Sequence, residues 1–404
     1  MHHVTTTRIP TRLPWLRWIA AILAAAILAL AAIQLARVDA NLGAPYGPDR
    51  TLRALDATPA LASTDATQAR IALRMRPIDG AAYRVLAQAQ DAAGHPDRAT
   101  ALYATAVARW PRERIARAML ADRAFAANDV DAGLHHVDAL LRVAPTLRAA
   151  VLGTLMRNLG DQRIRQGLAA RVAADPPWRD AVAPSLLDAA TPTAQAEALL
   201  AALAARTPLT PAELQARLTL LDRLGQPTRA RAIWLATLSQ KDRQSAALVF
   251  DGGFERPGVV GGYAWQLAAP AGAALGYDTV DPYAGRSTLS LRFDGRAVQF
   301  AGVRQMLALA PGRYRLAMAV RNRVDTVRPF VWRLACAAGQ PPVLGELAVP
   351  TQAGGDWQRI EVGFEVPSTC RSQDLQLQHT ARSLAERRLA GELLVDAVRI
   401  SRAR

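Results

Sequence analysis

Residues 311–320 read Pro-Gly-Arg-Tyr-Arg-Leu-Ala-Met-Ala-Val. Tyr314, Leu316, Met318 and Val320 occupy every second position, so an extended chain puts all four on one side. Pro311-Gly312 supplies a turn before them. The alternation recurs at Leu289-Leu291-Phe293 and at Ile360-Val362-Phe364-Val366. A second turn signal lies at Ala353-Gly354-Gly355-Asp356. Roughly eight to ten such runs fit between 246 and 404, the pattern of an antiparallel all-β sandwich.

Upstream of 246 the period is helical. Pro77, Pro111 and Pro145 are spaced by 34 residues, and Leu86, Ala87 and Gly94 map by the same step onto Leu120, Ala121 and Asn128. Gly94-His95-Pro96-Asp97 and Asn128-Asp129 are turn chemistry. The best unit places Tyr83, Leu86 and Ala87 on a first helix and Ala99, Tyr103 and Ala106 on a second. A later one uses Leu214, Leu218, Gly225, Ala230 and Trp234. This period of helix–turn–helix units resembles the tetratricopeptide repeat family. Arg117 departs from it, standing where an aromatic is expected, and 146–210 is irregular. The resemblance implies a superhelix over 65–245 whose inner face holds a protein partner. A plain helical spacer is the alternative.

The N-terminal stretch Trp18–Ala36 reads WIAAILAAAILALAAIQLA, without a charge. At ~1.5 Å per residue it nearly spans ~30 Å of hydrocarbon. Arg8, Arg12 and Arg17 precede it without an acid, and Trp15 and Trp18 sit at its entry. The positive-inside rule predicts a cytoplasmic tail at 1–17, a single-pass anchor at 18–37, a linker at 38–64, and the bulk outside. That arrangement suits the inner membrane of a cell with a periplasm. A cleaved signal peptide ending near Val38-Asp39-Ala40 gives the same compartment. The two cysteines agree: Cys336 and Cys370 each lie at an expected strand end, and an oxidising compartment lets them pair. Two buried free thiols are the alternative.

The net charge of +15 raises the question of nucleic acid. It is spread thinly: +3 over 1–18, +7 over 19–245 and +5 over 246–404, and Lys241 is the only lysine. No dense basic run exists, so the reading is against nucleic acid and compatible with acidic polysaccharide or lipid.

The C-terminal segment holds more than its alternation. It opens with Phe250-Asp-Gly-Gly-Phe-Glu255, continues through Trp265, Gly285-Arg-Ser-Thr-Leu-Ser-Leu and Pro311-Gly-Arg-Tyr-Arg-Leu, and closes on Leu393-Leu-Val-Asp-Ala-Val-Arg-Ile. This order resembles the jelly-roll carbohydrate-binding modules attached to glycoside hydrolases. The resemblance implies sugar stacked on exposed aromatics, with Tyr263, Tyr283, Phe330 and Trp332 as candidates. It makes Trp265 and Trp357 structural aromatics. It also implies a structural calcium held by Asp251, Glu255 and Asp396.

Catalytic motifs are missing. The six histidines form no ligand motif, and there is no phosphate loop, nucleophile elbow or His-Glu-x-x-His. Glu361 and Glu365 share one side of a strand opposite an apolar face, as solvated residues do; a glycosidase-like enzyme would need them as a pair. The expectation is a non-enzymatic, membrane-anchored envelope scaffold. Its repeats bind a protein and its sandwich a glycan, as in surface polysaccharide assembly or export. The alternative is a protein-interaction module with a purely structural sandwich.

Overall fold

The computed structural model describes residues 66–337, 342–351 and 355–403. The expected tail (1–17), anchor (18–37) and linker (38–64) lie outside the described residues. Among the described residues no single helix is long and apolar enough to cross a membrane. One pair bent by 118°, Val130–Val143 with Pro145–Arg157, passes by length and composition together. The chain falls into two compact units, divided between Pro208 and Leu209.

The first unit is helical: α1 (Ala66–Met75), α2 (Gly80–Ala92), α3 (Pro96–Arg109), α4 (Arg114–Ala126), α5 (Val130–Val143), α6 (Arg148–Arg157), α7 (Gln162–Ala173), α8 (Val182–Leu187) and α9 (Thr193–Ala204). Acidic caps begin several of them. The Asp79 carboxylate accepts the N–H groups of Ala81 and Ala82, and Glu113, Asp129 and Asp161 cap α4, α5 and α7 likewise. Helices α2 and α3 pack as a pair, as do α4 and α5. The second pair begins 34 residues after the first. Gly94 and Asn128, equivalent by that step, both turn the chain in the left-handed region, at φ 76° and 64°. Small side chains let the helices close: Ala87, Ala99, Ala106 and Ala116 are buried around Tyr103.

Arg117 fills its aromatic position by the same contact as its equivalent. The Tyr83 hydroxyl donates to the Pro77 carbonyl at 3.2 Å, and the Arg117 Nε–H donates to the Pro111 carbonyl at 2.7 Å. A long donor is what the position needs, and either side chain supplies it. Further along, Trp178 interrupts the pattern and is fully buried, its indole N–H bonded to Asp138 at 2.8 Å.

The second unit joins three helices, α10 (Pro211–Arg223), α11 (Pro227–Thr237) and α12 (Gln240–Arg243), to a ten-stranded sandwich among the described residues. A capping box starts α10, with Thr210 and Glu213 each accepting the other's backbone N–H. Residues 209–245, read above with the repeats, thus lie in the compact unit of the sandwich. Trp234 of α11 packs on Phe250 and Tyr263, with ring centroids 4.9 and 5.9 Å away.

The strands are β1 (Gln266–Leu267), β2 (Ala273–Asp278), β3 (Thr288–Ala297), β4 (Val303–Leu307), β5 (Gly312–Asn322), β6 (Phe330–Cys336), β7 (Val343–Ala348), β8 (Gln358–Val366), β9 (Gln373–His379) and β10 (Arg388–Arg402). They form two antiparallel five-stranded sheets, β1-β4-β9-β6-β7 and β2-β3-β10-β5-β8. The alternation that opened the reading sets the register: Tyr314, Leu316 and Met318 of β5 lie opposite Phe364, Val362 and Ile360 of β8. These side chains meet Phe330, Trp332 and Leu334 of β6 in one core. Cys336 and Cys370 are joined by a disulfide.

Candidate functional site

Three of the four aromatics expected to face a sugar are enclosed. Phe330 and Trp332 share the phase of Leu334 and Cys336 on β6, and all four point into the core. Trp332 meets Trp265, and Phe330 is wedged between Phe293 and Phe300. Tyr263 lies under α11 with its hydroxyl donating to the Pro227 carbonyl. A ring covered on both faces offers no platform, so Tyr263, Phe330 and Trp332 are corrected to core residues. Alternation marks the two sides of a strand but does not say which side a second sheet will cover. Tyr283 is the exception, 46% exposed.

Tyr283 stands on the loop 279–287 between β2 and β3. That loop crosses the outer face of its sheet and is tied down over its second half. Buried Asp396 of β10 accepts the Ala284 N–H at 3.0 Å, and Glu255 accepts the N–H groups of Arg286 and Ser287. At Gly285, φ is 73° and a Cβ would lie 2.3 Å from the Glu255 carboxylate, so glycine is required there. Asp251 holds the opening loop, accepting the N–H groups of Glu255 and Arg256 at 2.8 and 2.9 Å. That loop is clipped to β10 by the Val398 N–H and the Gly252 carbonyl. Asp251, Phe254, Asp281 and Ala397 all adopt positive φ. Such backbone persists only where surroundings over-determine it.

The three acids foreseen for calcium therefore share one place, around a cavity of about 290 Å³. Burial pushes the Asp251 carboxyl up to about 6, opposed by the two amides and reinforced by Glu255. Burial also raises Asp396 above the usual carboxylate range. As arranged, the three do not fit a calcium cage. Among the described residues no group of three or more His, Cys, Asp or Glu side chains is placed to hold a metal ion. Each carboxylate is instead turned onto backbone N–H groups. The cluster works as a knot fixing the opening loop, β10 and the 279–287 loop together.

What the knot positions is an aromatic pair. Tyr283 meets Trp357 edge-on, with ring centroids 5.7 Å apart. Trp357, expected to be structural, is half-buried. It precedes β8 in phase with Arg359, Glu361 and Glu365, the side turned away from the core. Arg321 of β5 lies beside it, its guanidinium carbon 5.2 Å from the indole centroid. One arm of Arg321 is paired with Asp281 of the loop. Two donors here are shielded from solvent and lack a hydrogen-bond partner among the described residues: the Trp357 indole N–H and the Arg321 Nε–H. Buried donors without partners are costly and mark places where a partner is missing. Trp357, Arg321 and Asp281 were not foreseen. The signal for Trp357 was its phase with the polar side of β8.

The carboxylates Glu361 and Glu365 each face an arginine of β5. Glu361 is bound to Arg315 at 2.7 Å and Glu365 faces Arg313 at 3.9 Å.

No family model matches this chain. No curated protein matches it. Among solved structures it is similar to a family 16 carbohydrate-binding module, with 15% identity, a TM-score of 0.28, and coverage of 38% of this chain and 99% of that one. It is similar to the CBM22-1 xylan-binding domain of Paenibacillus barcinonensis Xyn10C (14%, TM-score 0.25, 34% and 83%). It is likewise similar to TmCBM61 in complex with β-1,4-galactotriose (13%, TM-score 0.29, 39% and 100%). The C-terminal sandwich thus resembles carbohydrate-binding modules.

Proposed function

We propose that the sandwich unit binds a glycan at the Tyr283–Trp357 pair. The observation that supports it is the pair itself: an exposed ring braced on a second, beside two donors without partners. A pyranose face packs on an aromatic ring while its oxygens accept from nearby N–H groups. The knot of Asp251, Glu255 and Asp396 would hold the platform ready, which reduces the ordering cost of binding.

Around that site we read a non-enzymatic scaffold. The helical unit is taken as tetratricopeptide-like and as the docking surface for a protein. Exposed Met75, Ile78 and Trp110 near the start of α2 support that part. The uncharged run at 18–36 would tether both units outside the inner membrane, in surface polysaccharide assembly or export.

The test is a polysaccharide array probed with the purified full chain and with Tyr283→Ala. The proposal expects at least one glycan retained by the native chain and lost by the variant. Retention of no glycan by a folded chain favours the protein-only scaffold, and retention unchanged by the variant places binding elsewhere.

A further inference from the structure

We infer that the ligand of this site is an acidic glycan, and that Asp281 occupies the place of its carboxylate. The inference rests on the proposed glycan site and deepens it. Three observations carry it.

The first is Arg321. Its side chain is only 8% exposed, yet the carboxylate paired with it belongs to a residue that is 68% exposed. A guanidinium built into the sheet is thus capped by a loop residue that water reaches freely. Arg321 points one arm at that carboxylate, and its Nε–H has no hydrogen-bond partner among the described residues. A guanidinium fork matches a carboxylate by two parallel N–H bonds. Asp281 supplies a single contact where a ligand carboxylate could supply both.

The second is the sign of the free groups. The partnerless groups at the pair, the Trp357 and Arg321 N–H, are donors. A carboxylate is an acceptor only and satisfies them fully, whereas a neutral hydroxyl brings a donor of its own.

The third is the surrounding charge. Arg388, Arg399 and Arg402 of β10 are exposed without an acidic partner among the described residues, but several outward arginines are matched to acids: Arg292 to Asp278 and Glu392, Arg304 to Asp374, Arg315 to Glu361. The arginines flanking the aromatic pair are not. Arg359, two positions along from Trp357, is exposed and has no acidic partner among the described residues. Arg323, two positions along from Arg321, is exposed and, among the described residues, meets only the Gly355 carbonyl, at 3.4 Å. Residues two apart on a strand share a face, so these guanidiniums rim the site.

Binding then exchanges one carboxylate for another. The ligand carboxylate takes the Arg321 fork, Asp281 swings out to water, and the loop shifts enough to open the shielded indole N–H.

The experiment titrates the full chain with polygalacturonate and with the same polymer after its carboxyl groups are reduced to alcohols. The native chain should bind the acid form at least about tenfold more tightly, the value of one charge-assisted bond. Asp281→Asn should tighten the acid form by about tenfold and leave the reduced form unchanged, because it removes the internal competitor. Asparagine tolerates the positive φ, and its side-chain oxygen leaves the enclosed Arg321 guanidinium an acceptor. Trp357→Phe should weaken the acid form. Equal affinity for both polymers, lost in Tyr283→Ala, overturns this inference and leaves the glycan site standing. So does Asp281→Asn weakening the acid form, which makes the pair structural. Acid binding indifferent to Tyr283→Ala and Trp357→Phe is bulk attraction to a chain of net charge +15, and it overturns the inference. Binding of neither polymer, nor of any arrayed glycan, overturns both.

Discussion

Replacing Trp234 by alanine should unsettle the sandwich, although the residue lies in a helix that precedes it. Trp234 is buried, and its ring abuts Phe250 and Tyr263, which belong to the opening loops of the sandwich. Gly262 comes so close that a Cβ there would lie 2.3 Å from the indole. Removing a fully buried tryptophan costs about 3–5 kcal/mol, since transfer and cavity terms add. At roughly 2–4 °C per kcal/mol for a unit of this size, the unfolding midpoint should fall by about 6–20 °C. Amide exchange followed by peptide mass spectrometry separates the units. Protection should drop in β4 and β9 of the sandwich and stay unchanged in α2–α5. Gly262→Ala gives a second arm. It should destabilise the native chain strongly, yet cost only its backbone strain at φ 56° in the Trp234→Ala background. If Trp234→Ala frays α11 alone and leaves sandwich exchange untouched, the hairpin is an appendage and this reasoning fails.

Three further outcomes follow. Asp251 is raised to about 6 in the fold, so the folded state holds its proton more tightly than the unfolded chain does. Its contribution is fully present below about pH 4 and is lost as pH rises toward 6, by up to about 1.4 kcal/mol per unit. Half-buried His379, lowered in the fold by desolvation, acts in the opposite sense. The difference between native and Asp251→Asn unfolding curves isolates Asp251, and a difference flat from pH 4 to 7 contradicts it. Calcium or a chelator should move the midpoint by less than about 1 °C, because the carboxylates are committed to amides; a calcium-induced rise of several degrees means the knot rearranges into a cage. Paired Cys336→Ser and Cys370→Ser should cost about 3–4 kcal/mol for a loop with a sequence separation of 34. Denaturant unfolding with and without reductant checks this, and equal midpoints would refute it.

Much of the sandwich was legible because a half-buried strand writes its burial into every second residue, as β5 and β8 do. The helical pairs were legible from turn residues recurring at the same step, and the Arg117 exception shows why residue type alone misleads: a hydrogen-bond donor replaced a ring. The site was legible only in part. Tyr283 and the converging acids were in the sequence, but Trp332 lies in the core and Trp357 on the outer side of its strand. Each sits on an alternating strand, and the side that is covered depends on the partner sheet and on where the 279–287 loop lands. The Asp281–Arg321 contact spans 40 residues and leaves no local pattern. The docking of α11 under Tyr263 is likewise a tertiary event that helical periodicity does not encode.

A glycan received by the Tyr283–Trp357 pair would cover the loop that carries Tyr283 and the start of β8. Amide exchange of the full chain with and without a saturating glycan drawn from the array tests it most directly. New protection should be confined to 279–287 and 357–361. Protection on the β4-β9-β6 face, or in the helical unit with the loop unchanged, would contradict it.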